Sequence, residues 1–143
     1  MKQKTFKFLI TFMIVMLSGL TLKAAEANFR VIPLPNEIKS TNAGAFNLNA
    51  STRIIYPKGN EMMKKNAEFL SDYLKEITGI KPDVSDSGSK SNAIVLENGL
   101  KHANPEAYKL TVTSKNIVIA GAGERGVFYG IQTLRKATPI GTA

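Results

Sequence analysis

Residues 117–136 read IVIAGAGERGVFYGIQTLRK and hold a G-x-G-x-x-G at Gly121, Gly123 and Gly126, between an apolar run and a helical pattern. Such a triplet cradles the pyrophosphate of a dinucleotide when it closes a parallel strand of a β-α-β unit and opens a helix. An acidic residue about 20 positions on then binds the ribose. A second set, Glu68, Asp72 and Glu76, recurs every four residues. That spacing puts carboxylates on one helix face, where an acid/base pair could form. The single histidine, His102, offers one metal ligand or one general base. Tyr56, Tyr73, Tyr108 and Tyr129 could stack on sugar rings.

The elements that carry these residues decide among those uses. EMMKKNAEFLSDYLKEIT, Glu61 to Thr78, predicts a helix. At 3.6 residues per turn Met62, Met63, Asn66, Ala67, Phe69, Leu70, Tyr73, Leu74 and Ile77 fall within an arc of about 160°, with every charged residue outside it. Gly79 is placed to end the helix. An arc so wide is more than one supporting surface requires, so the helix is expected to be covered on two sides, or by a sheet and a second helix. Strands are predicted for the extended piece at the start of FRVIPLPNEI, which Pro33 and Pro35 interrupt, and for AFNLN (45–49), TRIIYP (52–57), AIVLEN (93–98), YKLTV (108–112) and NIVIA (116–120). The polar stretch 81–92 opens with a short edge strand. Only TSK separates the last two strands, which predicts an antiparallel hairpin. The expected fold is α+β, a largely antiparallel or mixed sheet with two main helices packed on one face.

This order argues against dinucleotide binding at Gly121, Gly123 and Gly126. The strand before the glycines is the second arm of a hairpin, no Asp or Glu follows Glu124, and only 17 residues follow Gly126. In the structural reading, Gly121 and Gly123 form the strand-to-helix turn, where positive φ is available. Gly126 and Gly130 lie four apart on one side of the closing helix. A glycine inside a helix costs about 1 kcal/mol relative to alanine, so this pair calls for close packing on the sheet. Val127, Phe128, Gly130, Ile131 and Leu134 then form the core face, and Arg125, Tyr129 and Gln132 turn to solvent or a neighbouring domain. Glu68, Asp72 and Glu76 lie among Lys64, Lys65 and Lys75 and read as a solvated helix face. His102, in LKHANP, has no second ligand nearby and reads as a surface turn residue, so no metal or cofactor is expected. The tyrosines read as core or interdomain contacts.

A chain of 143 residues allows one ordinary domain. Lys2, Lys4 and Lys7 precede an uncharged stretch from Phe8 to Leu22, and Ala25-Glu26-Ala27 offers a cleavage site. Residues 1–27 therefore read as a secretory signal peptide rather than a stable membrane anchor, since about 20 apolar residues are needed to span a bilayer. Without Lys2, Lys4, Lys7, Lys23 and Glu26 the remainder holds 15 basic and 10 acidic side chains, a net of +5. The basic residues are scattered lysines without an arginine stripe, which argues against nucleic acid as a partner. There is no cysteine, hence no disulfide framework, lipid-attachment thiol or thiolate metal site.

VIPLPNEI, GAFNLN, TRIIY, AYKLTV and NIVIAGAGERGVFYGIQTLRK together resemble the N-terminal, non-catalytic domain of bacterial β-N-acetylhexosaminidases, glycoside hydrolase family 20. The resemblance covers essentially everything after the signal peptide. GVFYGIQTLRK is its most specific piece. It implies a small α+β domain over residues 28–136, with residues 137–143 opening a linker to a catalytic (β/α)8 barrel. In that family the substrate's own acetamido oxygen attacks the anomeric carbon, beside an Asp-Glu pair on the barrel. No Asp-Glu dipeptide occurs in this sequence, so no catalytic residue carries over. The expected role is a supporting domain of an exported enzyme, periplasmic or secreted, that removes terminal β-linked N-acetylglucosamine or N-acetylgalactosamine. A free-standing carbohydrate- or partner-binding module is the alternative, and dinucleotide binding a weaker one.

Overall fold

A computed structural model of the chain describes residues 35–40 and 43–138. The segment read as a signal peptide, the residues before Pro35 and residues 139–143 of the expected linker lie outside the described residues. Among the described residues five strands and two helices follow one another as β1 (Arg53–Ile55), α1 (Glu61–Thr78), β2 (Asp83–Ser85), β3 (Ala93–Asn98), β4 (Tyr108–Val112), β5 (Asn116–Gly121) and α2 (Glu124–Ala137). The Asn60 side chain caps α1 by accepting from the Met63 N–H at 3.0 Å. Gly79 ends the helix in the left-handed conformation, φ 75°, and donates its N–H to the Lys75 carbonyl.

The strands lie in the order β2-β1-β3-β5-β4. Among the described residues three pairings are parallel and one, β4–β5, is antiparallel, so of the two expected forms the sheet is the mixed one. The reason lies in two crossovers. Helix α1 returns the chain so that β2 runs alongside β1, and residues 86–92 then carry it past β1 to start β3 in the same direction. Seven residues suffice for the second crossover because β1 and β2 are three residues long, about 10 Å. Gly88 of this crossover sits against the side chains of Arg53 and Ile55. Lys90 pairs with Glu97 at 2.6 Å and accepts from Asn116 through its carbonyl.

Both helices cover one face. Ile54, Ile94, Leu96 and Ile119 meet Met63, Leu70, Val127 and Ile131 in a single core, and each such side chain contributes about 1.5–3 kcal/mol on burial. Ile55, Ala93 and Val95 form a smaller cluster on the opposite face. Helix α1 is thus covered by the sheet and by α2, as its wide arc requires. Its outer members Met62 and Phe69 are exposed nonetheless. The expected strand at residues 45–49 does not form. Phe46 and Leu48 pack against the core from an irregular segment, which ends in a turn where Thr52 donates its N–H to the Asn49 carbonyl.

The glycines at the start of α2 and within it answer to space rather than to φ. The connection from β3 to β4 passes over the end of β5, where Gly99 and Leu100 donate to the Gly121 carbonyl and Ala122 donates to Ala107. This lays Pro105–Ala107 across the first turn of α2. A Cβ at Gly126 would strike the Ala107 carbonyl oxygen, and one at Gly123 would lie 3.1 Å from that of Pro105. At Gly121 it would lie 2.6 Å from the Val127 nitrogen, and at Gly130 it would meet the Ile119 methyl and the Tyr108 ring. Neither Gly121 nor Gly123 has a positive φ, and Gly123 is fully extended at φ −149°, ψ −179°. The expectation of a left-handed turn there is therefore corrected. Phe128 is corrected too: it leaves the core face for the flank toward α1, its ring centroid 5.9 Å from that of Phe69.

Replacing Gly126 with alanine is expected to destabilise the chain by about 1–3 kcal/mol in urea unfolding, because its obstacle is backbone. Gly130→Ala should cost less, since its obstacles are side chains that can shift. A Gly126→Ala chain that gains the roughly 1 kcal/mol of helix propensity instead would contradict this account.

Candidate functional site

Two helices side by side on a sheet leave a flank between them that faces away from the core. On α1 the spacing of Met62, Phe69 and Tyr73 puts them on the side toward α2. On α2 the corresponding residues are Phe128 and Arg135, with Tyr129, Gln132 and Arg125 further out. Met62 is 51% exposed, Phe69 39%, Phe128 39% and Tyr129 41%. Phe128 bridges the group, 5.9 Å from Phe69 and 6.2 Å from Tyr129 between ring centroids. Clustered on one surface rather than scattered, such rings are the mark of an interaction site.

Arg135 crosses the flank. Its guanidinium carbon lies 4.0 Å from the Tyr73 ring centroid and 5.0 Å from that of Phe69. One Nη donates to the Gln132 side chain at 2.7 Å, and the Tyr73 hydroxyl donates to the Arg135 carbonyl at 3.2 Å. The Nε of Arg135 is buried without a hydrogen-bond partner. At the other end the helices are tied by Asn60, which donates to the Glu124 carboxylate at 2.9 Å, and by Asn66, which donates to the Glu124 carbonyl at 3.4 Å. Arg125 is largely exposed, with Glu106 at 3.9 Å its loosely held partner.

The other candidates do not assemble into chemistry. Asp72 pairs with Lys81 at 2.8 Å, not with Glu68 or Glu76, and the Lys81 ammonium holds its carboxyl below the usual carboxylate range. His102 accepts from the Asn104 N–H on an exposed loop. Among the described residues no three metal-ligating side chains converge, and no helix is long and apolar enough to cross a membrane. A dinucleotide has no room at the glycine-rich turn, because the carbonyl oxygens of Pro105 and Ala107 face Gly123 and Gly126. They also carry the wrong polarity for a phosphate. Tyr108 is tied to Thr133 at 2.6 Å and packs against Gly130, so it is not open to a ligand.

Residues 28–141 match the family described as glycosyl hydrolase family 20, domain 2. The chain belongs to this family. The fold agrees with that of the family 20 β-N-acetylhexosaminidase from Streptomyces coelicolor A3(2), at TM-score 0.71 and 27% identity over 80% of this chain and 23% of that one. The N-acetyl-β-hexosaminidase of Streptomyces plicatus gives 0.67 and 26%, over 78% of this chain and 21% of that one. The exo-β-N-acetylglucosaminidase of Vibrio harveyi shares the fold at 0.53 and 24% identity, over 79% and 17%. The chain thus spans less than a quarter of each of these enzymes. No curated protein sequence matches it significantly.

In this family 20 domain 2, reading the sequence pointed to Arg125, Tyr129 and Gln132 but passed over Arg135 and placed Phe128 on the core face. The available signal was the 160° arc itself, whose outer edge stays exposed at Met62 and Phe69. The Asp72–Lys81 pair gives a check on the helix surface. Because the folded carboxyl is depressed, the pair's contribution is present above the ordinary carboxylate pKa and lost as pH falls through the lowered one. Lys81→Gln is expected to move the Asp72 titration upward in an NMR series while barely changing stability at pH 7, since both groups are exposed.

Proposed function

We propose that this chain is the non-catalytic supporting domain of an exported β-N-acetylhexosaminidase. It packs through the outer flank of α1 and α2 against a catalytic (β/α)8 barrel, and the complete enzyme hydrolyses terminal β-linked N-acetylglucosamine or N-acetylgalactosamine. The observation that carries this reading is the run of exposed apolar side chains Met62, Phe69, Phe128 and Tyr129 on the helix layer of a family 20 domain. The likeness to two hexosaminidases that are each more than three times as long supports it. Export, to the periplasm or beyond, rests on the lysine-flanked apolar stretch at residues 1–27.

The same aromatic residues raise the second reading, a sugar-binding module. A pyranose stacks on a flat platform, but Phe69 and Phe128 are inclined at 38° and Phe128 and Tyr129 at 61°. Neither pair is coplanar, which suits an irregular protein surface better than a sugar face.

The 143-residue chain alone is expected to release no 4-nitrophenol from its β-N-acetylglucosaminide and to show no saturable binding of N-acetylglucosamine oligomers. Sequencing past codon 143 is expected to find a barrel bearing an Asp-Glu pair. Saturable oligomer binding, or a stop followed by unrelated sequence, would favour the module instead.

A further inference from the structure

We propose that Arg135 is the charged anchor of the helical flank, and that the catalytic domain covering this flank presents a carboxylate to its guanidinium. The proposal rests on the docking role inferred above and adds the chemistry of the partner surface.

The guanidinium carries five N–H donors, yet its one hydrogen bond among the described residues is to the neutral Gln132 side chain. No ion pair there includes it, and its buried Nε has no acceptor. The Nε lies inside the domain and out of a partner's reach, but the second Nη has no hydrogen bond among the described residues and is not buried, so it is the donor open to an acceptor supplied from outside. The two rings beneath the guanidinium fix its plane and leave the charge partly hydrated. Covering the flank removes that hydration. A buried, unpaired cation would then oppose docking by several kcal/mol, whereas a carboxylate meeting the planar fork offsets the loss with charge-assisted bonds.

The position suits one occupant. Helix α2 ends at Ala137, two residues past Arg135, and Thr138 caps it by donating to the Leu134 carbonyl. Chain leaving α2 therefore starts beside the flank. These two family 20 relatives are more than three times as long as this chain, so a domain that follows is within reach by covalent connection.

The test compares wild type, Arg135→Met and Arg135→Lys in the polypeptide encoded by the extended reading frame and in the 143-residue chain. Domain opening is read as the rate of native-state proteolysis just after α2. In the extended protein Arg135→Met is expected to raise that rate about tenfold or more, the scale of losing one partner of a desolvated charge pair. Arg135→Lys should recover only part, because a lysine lacks the planar fork. Wild-type opening should increase as pH falls through the carboxylate range near about 4, and this dependence should vanish in Arg135→Met. In the 143-residue chain Arg135→Met should hardly move the melting temperature.

Equal opening rates in wild type and Arg135→Met would overturn the anchor while leaving docking intact. An equally large loss of stability in the 143-residue chain would make Arg135 an internal packing residue and also overturn it. If wild-type extended protein shows an open flank, the docking reading itself fails, whatever Arg135 does.

Discussion

The architecture depends on one close crossing of backbones, that of Pro105–Ala107 over the first turn of α2. The β3–β4 connection can reach the outer edge of the sheet only by passing over the end of β5, where α2 also begins. Gly123 and Gly126 remove the two Cβ atoms that would stand in the way, Gly121 makes room for the first turn of α2 itself at Val127, and the Ala122 N–H donates to Ala107 across the gap. With the helix held this low, Gly130 lets it settle onto Ile119 and Tyr108, and Val127, Ile131 and Leu134 reach the core. A motif that elsewhere makes room for a phosphate here makes room for the protein's own carbonyl groups.

That crossing also sets the outer surface. Helix α2 is brought beside α1 with Asn60 and Asn66 holding Glu124, so Phe128 and Arg135 meet Phe69 and Tyr73 rather than the sheet. The core needs neither Phe128 nor the exposed part of Phe69, because the sheet's five strands are already covered. Apolar side chains beyond what the core can use imply a further surface to cover them. The docking role proposed above asks only for contact area from this member of family 20 domain 2.

Much of this was legible in the sequence. Helix 61–78 was, because its period is unambiguous and Asn60 and Gly79 mark its ends. Strands β3, β4 and β5 were also legible, as compact apolar runs bounded by turn residues. Strand direction was not, since β1 and β2 are three residues long and periodicity says nothing about which neighbour a strand chooses. Residues 45–49 alternate like a strand, yet Phe46 and Leu48 pack without a ladder. The glycine spacing was visible but its cause was not. An obstacle 18 or 19 residues earlier in the chain, at Pro105 and Ala107, cannot be read from G-x-G-x-x-G alone. Arg135 escaped notice because a charged residue in the last turn of a helix ordinarily complements the helix dipole, and nothing local signals that its Nε is buried.

The central claim is that the α1–α2 flank is an interdomain surface. Hydroxyl-radical footprinting tests it most directly, because methionine and aromatic side chains report their own exposure. Met62, Phe69, Phe128 and Tyr129 are expected to oxidise readily in the 143-residue chain and to be protected in the extended enzyme, with Ile38, another exposed apolar residue, as the reference. Equal oxidation of the four in both forms would contradict the account.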